Sequence, residues 1–405
     1  MKTWKKLSKT VASTAVAVAL GSALTTATLA ANHPVKVGVL HSLTGTMAIS
    51  ESALKDTILM LIEEQNKKGG VLGRQLEAVV KDPASDWPTY GTMAREMIED
   101  DGVSVIFGGW TSVSRKNVVP VVEDLDGLLF YPVQYEGQEQ SENVFYTGAT
   151  PNQQAIPAVE YLLDQGARRF YLAGTDYVYP RTTNEILVNF LQTKGISGDD
   201  VIVNYTPFGH SDWAGIVSEI KAFAAQGVKT AVISTVNGDA NIHFYAELAA
   251  QNVTADQIPV MAFSVGEGEL KVMDAAPLAG HLVAWNYFMT ADNPVNAAFI
   301  RQWRAYTNDA AGVTNDPMEA HMIGFKMWIA AIKKAGTAEP ADVIEALGGL
   351  KAMGLTGQEV VMDEENHHLH KPVYVGVINP DGSIKSVWDS GGLVAPKPWS
   401  PYIKG

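Results

Sequence analysis

The sequence predicts an α/β protein of two similar lobes, each built on a mainly parallel sheet flanked by helices. Short apolar runs alternate with helical patterns from residue 35 onward, which is typical of parallel sheets. The alternation breaks at residues 143–150 and then restarts in the same style. The chain has 405 residues, 46% of them hydrophobic, so it is long enough to form two hydrophobic cores.

In the first lobe, strands are predicted at residues 35–40, 76–81 and 103–107, and a further strand ends near Tyr131. Helices are predicted between them, because apolar residues recur there at helical spacing. These residues are Leu54, Ile58, Leu61 and Ile62, then Met93, Met97 and Ile98, then Val118, Val119, Val122 and Leu125. The glycine-rich segment 69–73 follows a helix and not a strand, so it is not predicted to be a phosphate loop.

The second lobe repeats the pattern. A helix is predicted at residues 152–165, a strand at 170–173, and another helix opening at Pro180. Further predicted strands lie at residues 201–205, 230–234, 260–263 and 281–285.

The tail contains helical patterns and then short strands with a turn at Asp381-Gly382. The chain is therefore expected to recross between the lobes. Residues 33–150 and 284–355 are predicted to form the N-terminal lobe, and residues 151–283 and 356–405 the C-terminal lobe.

Residues 1–31 are predicted to be a secretory signal peptide. Four lysines precede the apolar run 11–29, and two alanines follow it. The formal charge of −14 becomes −14 − 4 = −18 without those lysines, which does not suit binding to nucleic acid or an anionic membrane. The chain has no cysteine, which excludes disulfides, thiolate catalysis and a lipidated cysteine anchor. We expect a soluble periplasmic protein without a cofactor or a metal site.

Two loops of the first lobe form the leading candidate for a binding site. The first contains Trp110, Thr111 and Ser112, and the second runs from Tyr131 to Glu136. Each follows a predicted strand, and ligands of open parallel sheets bind where the strands end. Ser112 or Ser114 is expected to cap the next helix, and Ser112 and the helix-end N–H groups to donate to a carbonyl oxygen. The alternative is that Trp110 and Tyr131 are core aromatics and Ser112 a plain cap.

Other polar features favour structural roles. Arg115 and Lys116 are expected to face solvent and not to clamp an anion. Residues 366–370 contain three histidines, and packing is favoured over metal binding because they alternate along a short strand. The segment 210–212 has the composition of a catalytic triad, but sequence neighbours rarely form one.

Ten runs, distributed over almost all of the chain after residue 32, resemble the urea-binding proteins of bacterial urea ABC transporters. They are LHSLTGTMAISE, GGVLGR, ASDWPTY, FGGWTSVSRK, LLFYPVQYEG, TDYVYPRTTNE, STVNGDANIHFY, GHLVAWNYF, NDPMEAHMIG and NHHLHKPV. The wider family is that of the branched-chain amino acid and amide-binding periplasmic proteins. The resemblance implies a type I periplasmic binding protein, with two lobes joined by three hinge crossovers that close on a solute.

The resemblance also implies the residues that contact the solute. In the first lobe these are Trp110, Thr111, Ser112, Tyr131, Pro132, Val133, Gln134, Tyr135 and Glu136; in the second they are Tyr177, Val236, Asn237, Gly238, Asp239 and Glu267. The chain departs from the family pattern at Tyr179, where phenylalanine is expected, and at 266–269, where a more acidic run is usual. Both departures bear on the size of the pocket.

The implied function is capture of urea or a short-chain amide and its delivery to an inner-membrane ABC permease. A branched-chain amino acid binder is an alternative within the family. An amide-sensing regulatory protein of the same fold is another, although the signal peptide argues against it. An amide-hydrolysing enzyme is disfavoured because the sequence lacks a nucleophile motif and a histidine cluster of the kind that binds nickel.

Overall fold

The computed structural model describes residues 33–403. The signal peptide predicted for residues 1–31 lies outside these residues. Within the described range, no helix is both long enough and apolar enough to cross a membrane.

The first sheet has five parallel strands in the order β2-β1-β3-β4-β5. They are β1 (Val35–Leu40), β2 (Leu76–Lys81), β3 (Val105–Gly108), β4 (Leu129–Tyr131) and β5 (Val144–Tyr146). Strand β5 lies in the segment where the sequence pattern breaks. Its three residues are all buried, so it shows no alternation of apolar and polar residues that would indicate a strand.

The second sheet has seven strands in the order β15-β14-β10-β9-β8-β6-β7. They are β6 (Arg169–Thr175), β7 (Val201–Thr206), β8 (Thr230–Thr235), β9 (Val260–Ala262), β10 (Leu282–Trp285), β14 (Tyr374–Ile378) and β15 (Ile384–Asp389). Strands β6 to β10 pair in parallel, whereas β14 and β15 are antiparallel. The predicted turn at Asp381-Gly382 connects β14 to β15, and Gly382 has the positive φ of 80° that a tight turn favours.

Helices flank both sheets. They are α1 (Ala48–Lys67), α2 (Trp87–Glu99), α3 (Ser112–Asp124), α4 (Ala155–Asp164), α5 (Val178–Thr193), α6 (Ala214–Ala224), α7 (Ala240–Ala250), α8 (Glu267–Leu270), α9 (Pro294–Thr307), α10 (Asp316–Ala335) and α11 (Pro340–Leu347). A small antiparallel sheet contains β11 (Lys351–Met353), β12 (Glu359–Met362) and β13 (Leu369–His370). The apolar stripe predicted on α10 is buried, as expected for a core helix.

The chain passes between the two sheets three times, after β5, after β10 and after β13. Helix α10 packs against α1 of the first lobe, and β14 and β15 complete the second sheet. The lobe boundaries remain a prediction. By strand pairing, residues up to Trp285 belong to the second sheet, and a bridge between Tyr146 and His368 ties residue 368 to the first sheet.

Strand β6 shows that the second sheet packs against helices on both of its faces. Phe170 and Leu172 belong to a buried cluster on the face covered by α4 and α5, while Tyr171 and Ala173 belong to the cluster shared with α6 and α7. Successive residues of a strand point to opposite faces, so a strand buried on both sides has no polar face. This positions the ends of the strands, and not their faces, for binding.

Candidate binding cleft between the lobes

The ends of β3 and β4 bring the two predicted first-lobe loops together. The strands are parallel neighbours, with Phe107 opposite Phe130, so the loops that follow leave the sheet at the same edge. The Tyr131 hydroxyl donates a hydrogen bond to the Trp110 carbonyl. Both side chains are buried. The two loops therefore form one continuous surface.

Thr111 caps helix α3. Its backbone is extended, and its Oγ1 accepts a hydrogen bond from Ser114 N at 3.1 Å. The prediction that Ser112 or Ser114 is the cap is wrong, because Ser112 is already the first helical residue and a capping residue needs a non-helical backbone. The first N–H groups of α3 lack intrahelical partners and carry a partial positive charge.

Ser112, Arg115 and Glu136 form a buried hydrogen-bonded group. Arg115 Nη1 donates to Ser112 Oγ at 3.0 Å, and Nη2 donates to Glu136 Oε1 at 3.2 Å. Ser112 donates its own proton to Glu136 Oε2. A serine hydroxyl has a single proton, so in this arrangement Ser112 can accept a hydrogen bond from a solute but cannot donate one. The expectation that Ser112 donates is therefore corrected.

The burial of Arg115 was not expected. Its side chain is 0% exposed and lies over the rings of Tyr131 and Tyr135, with the guanidinium carbon 4.7 and 4.4 Å from their centroids. Its Nε also donates to Glu139 Oε1 at 2.7 Å. The prediction that Arg115 faces solvent is wrong, whereas Lys116 is 40% exposed as predicted.

Glu139 shows the electrostatic effect of this arginine. Burial alone would raise the pKa of Glu139, but the charge of Arg115 and its hydrogen bond, followed by those of Lys116, lower it to about 2. The neighbouring phenol responds in the opposite direction, because burial outweighs Arg115 and raises the pKa of Tyr131 well above its ordinary value. The cluster thus holds a carboxylate and a neutral phenol over the whole physiological pH range.

In the second lobe, Tyr177 precedes α5, which begins at Val178 and not at Pro180 as predicted. The ring of Tyr177 packs on Phe208 at 4.8 Å, and Phe208 packs on Trp87 of the first lobe at 4.8 Å. Burial, followed by the charges of Tyr131 and Tyr179, raises the pKa of Tyr177 well above its ordinary value. The contacts of Tyr177 with Phe208 and of Phe208 with Trp87 therefore connect this second-lobe loop to the first lobe.

The loop of residues 236–239 follows β8 and contacts the first lobe. Asp239 N donates to Thr46 O at 3.1 Å. Gly238 has a φ of 69°, and a Cβ added there would lie 2.6 Å from the same carbonyl. Val236 and Asn237 are buried, and Asn237 N donates to Thr175 Oγ1 at 3.0 Å. Only glycine fits the close approach at residue 238.

Gln134 bridges the lobes. Its Nε2 donates to Phe263 O at 2.7 Å and to Ser264 Oγ at 2.9 Å, both in the second lobe. Pro132 and Val133, which precede it, are buried. The carbonyl of Val133 packs so closely on Gly148 that a Cβ there would lie 2.0 Å from it. Gln134 therefore links the two lobes, and the packing of Val133 on Gly148 fixes the course of the loop.

Glu267 is hydrogen-bonded to a different segment from the residues described so far. Its Oε1 accepts from Met289 N at 2.7 Å, and burial raises its pKa to about 8. Glu269, in the same short helix, accepts instead from Ser50 Oγ of the first lobe at 2.7 Å. Glu269 therefore makes a hydrogen bond to the first lobe, and the hydrogen bond of Glu267 does not involve the Tyr131–Glu136 loop. A contact between Glu267 and the solute stays a prediction.

Several buried polar atoms of the cleft have no hydrogen-bond partner among residues 33–403. They are Trp110 Nε1, Gln134 Oε1, Tyr179 OH, Asp239 Oδ1 and Glu267 Oε2. Buried polar groups are normally satisfied, so such atoms mark a place where a solute or water can bind. Tyr179 and Arg115 were not among the predicted site residues. The Tyr177–Tyr179 spacing at a strand end was a signal for the first, but no local pattern indicated the second.

The histidines of the third crossover serve packing and hydrogen bonding. His368 stacks on Tyr146 with ring centroids 4.2 Å apart, and its Nε2 is 2.6 Å from Tyr135 OH. His370 pairs with Asp363 at 2.9 Å. Over the described residues, no group of three or more His, Asp or Glu side chains is arranged to hold a metal ion.

The comparisons with known proteins agree with this architecture. A family model described as "Periplasmic binding protein domain" matches residues 35–405. The leucine-, isoleucine-, valine-, threonine- and alanine-binding protein of Pseudomonas aeruginosa is 22% identical over 336 residues, which cover 77% of this chain and 82% of that protein.

Two solved structures show the same fold. A solute-binding protein of an ABC transporter from R. palustris, in complex with 4-hydroxybenzoate, has a TM-score of 0.76 at 20% identity and covers 88% of this chain and 96% of its own. The branched-chain amino acid binding protein LivJ from Streptococcus pneumoniae, in complex with isoleucine, has a TM-score of 0.72 at 18% identity and covers 90% and 100%.

The fold and the cleft define a two-lobed solute receptor of type I. The chain belongs to the periplasmic binding protein family, whose members include solute-binding proteins of ABC transporters. Its family and fold are those of solute-binding transport proteins and not of enzymes.

Proposed function

We propose that this protein binds urea or a short-chain amide between its lobes and delivers it to an inner-membrane ABC permease. The observation that carries the proposal is the pairing of Glu136 with the buried Arg115, which leaves the first-lobe surface polar but balanced in charge. An uncharged solute rich in N–H groups suits such a surface. The mature protein, predicted to begin near residue 32, would act in the periplasm and needs no cofactor.

The hydrogen-bonding groups of the cleft support this class of solute. Urea offers four N–H donors and one carbonyl acceptor. Three acceptors are available: Ser112 Oγ, the carboxylate oxygens of Glu136 through their remaining lone pairs, and Asp239 Oδ1. Trp110 Nε1 and the backbone N–H groups of Ser112 and Val113, which precede the capped Ser114 N, are available as donors. Each hydrogen bond contributes only about 1 kcal/mol net, so closure around several of them is needed for affinity.

The charges disfavour a free amino acid in this position. An α-amino acid carries an ammonium and a carboxylate, and each needs a matched partner when it leaves water. The ammonium would face a carboxylate whose charge Arg115 already balances at 3.2 Å. Two of the three proteins named above nevertheless bind branched-chain amino acids, so a branched-chain amino acid is the competing solute that the test must include.

The test is calorimetric titration of residues 32–405 with urea, acetamide and leucine in parallel. We expect saturable binding of urea or acetamide and no heat from leucine. Leucine binding without a urea or acetamide signal would refute the proposal. Ammonia release from urea would indicate an enzyme instead, and we expect none.

A further inference from the structure

We infer that Arg115 sets the charge selectivity of the cleft, favouring an uncharged solute over a cation of the same shape. This inference rests on the proposed function and deepens it, because it assigns specificity to a residue outside the set predicted to contact the solute. Arg115 is therefore a residue that acts through Ser112 and Glu136.

The geometry couples Arg115 directly to groups that face the solute. Its guanidinium contacts Ser112 Oγ at 3.0 Å and Glu136 Oε1 at 3.2 Å. A solute atom bonded to either group lies about 3 Å further away, so it is within about 6 Å of the arginine charge. At an effective dielectric constant of 20, a like charge at about 6 Å weakens binding by roughly a hundredfold, and local screening reduces this figure.

The charges around Arg115 are balanced as a set. Two cations, Arg115 and Lys116, face two carboxylates, Glu136 and Glu139, and the pairs are 2.7 to 3.9 Å apart. Arg115 and Glu136 are almost fully buried, whereas Lys116 is 40% exposed and screened by water. Arg115 is thus the cation that cancels most of the attraction that Glu136 alone would exert on a positively charged solute.

A purely structural role would leave selectivity unchanged. If Arg115 only supported the loop, its replacement would weaken the binding of every solute by a similar factor. If it sets selectivity, its replacement changes the ratio of affinities for two solutes of equal shape and different charge. Urea and guanidinium form such a pair, because both are planar and carry their N–H groups in similar directions.

The first test compares urea and guanidinium by calorimetry in the wild type and in Arg115→Met. We expect the urea-to-guanidinium affinity ratio to fall by about tenfold or more in the variant. Arg181→Met is the matched control. Arg181 is the fourth residue of helix α5, as Arg115 is of helix α3, but its side chain is 56% exposed. The control should keep the wild-type ratio. An unchanged ratio in folded Arg115→Met overturns the inference.

A second variant covers the case in which Arg115→Met does not fold. Glu139→Gln keeps Arg115 and removes one carboxylate beside it, which leaves the cluster with an excess positive charge. We expect its acetate-to-acetamide affinity ratio to rise by about tenfold. If this ratio is unchanged, the inference is overturned. The proposed function stands as long as urea still binds. Leucine binding by the wild type in place of urea and acetamide overturns the proposed function and, with it, this inference.

Discussion

Arg115 and Arg181 occupy equivalent places in the two lobes but have opposite environments. Each is the fourth residue of a helix that follows a parallel strand, α3 after β3 and α5 after β6. Arg115 is 0% exposed and is held by Glu136 and Glu139. Arg181 is 56% exposed, pairs with Asp176 and lies over the ring of Tyr205 at 4.6 Å.

The difference arises because the carboxylate partners of the two arginines come from different parts of the chain. Asp176 is five residues before Arg181, in the loop that precedes α5, so that pair forms locally and stays at the surface. Glu136 and Glu139 follow the neighbouring strand, 21 and 24 residues from Arg115, and they close over it together with two aromatic rings. Similar helix positions therefore acquire different roles through the loops of adjacent strands.

The largest expected effect is on stability, in the same two variants. Arg115→Met should lower the free energy of unfolding by about 3 to 5 kcal/mol, because it leaves the buried Glu136 without its close partner and Glu139 with only the exposed Lys116. Arg181→Met should leave stability within error, because exposed pairs are screened by water. Thermal unfolding followed by circular dichroism measures both. Equal losses of unfolding free energy in the two variants would show that the buried ion pairs of Arg115 stabilise the protein no more than the exposed pair of Arg181.

A second contrast concerns pH and the two glutamates of the opposing lobes. The pKa of Glu139 is lowered to about 2 from an ordinary 4.5, so its stabilisation is present above pH 4.5 and is lost as the pH falls through 2. The pKa of Glu267 is raised by burial to about 8, so the folded state holds an extra proton between pH 4.5 and 8. Stability from this group therefore declines as the pH rises through that window.

The corresponding variants should have pH profiles of opposite sign. Glu139→Gln should cost about 2 kcal/mol at pH 7 and nothing near pH 2. Glu267→Gln should change little at pH 4 and stabilise by about 2 kcal/mol at pH 8. Thermal unfolding of the solute-free protein at pH 2, 4, 7 and 8 tests both. Parallel profiles for the two variants would mean that their environments do not differ as described.

The smallest expected effect is on solute affinity, through a hydrogen bond that joins the two lobes. Ser50 Oγ donates across the cleft to Glu269, whereas Ser52 Oγ, on the same helix, donates to the carbonyl of Ala48 within that helix. Removing one hydrogen bond of about 1 kcal/mol that exists only in the closed state should weaken solute affinity about fivefold in Ser50→Ala. Ser52→Ala should bind like the wild type. Calorimetry with the preferred solute measures the difference, and equal affinities would contradict the assigned contact.

Much of the fold could be predicted from the sequence because its signals are local. Strand β1 spans the predicted residues 35–40, and the Asp381-Gly382 turn joins β14 to β15. The positions of the two first-lobe loops followed from the same local patterns. Strand β5 was missed because a three-residue strand that is buried throughout has no periodicity. The cap at Thr111 was missed because three neighbouring hydroxyl residues offer the same chemistry, and only backbone conformation distinguishes them.

The sequence by itself determined the alternation of strands and helices, the two lobes and the strand ends at which polar residues gather. These features depend on apolar periodicity and turn chemistry within short segments. Only the tertiary structure decided that Arg115 is buried, that Gln134 spans the lobes, and that Glu267 accepts a hydrogen bond from Met289 N. The burial of a charged or polar side chain depends on partners from distant segments, and its desolvation is offset only where those partners converge.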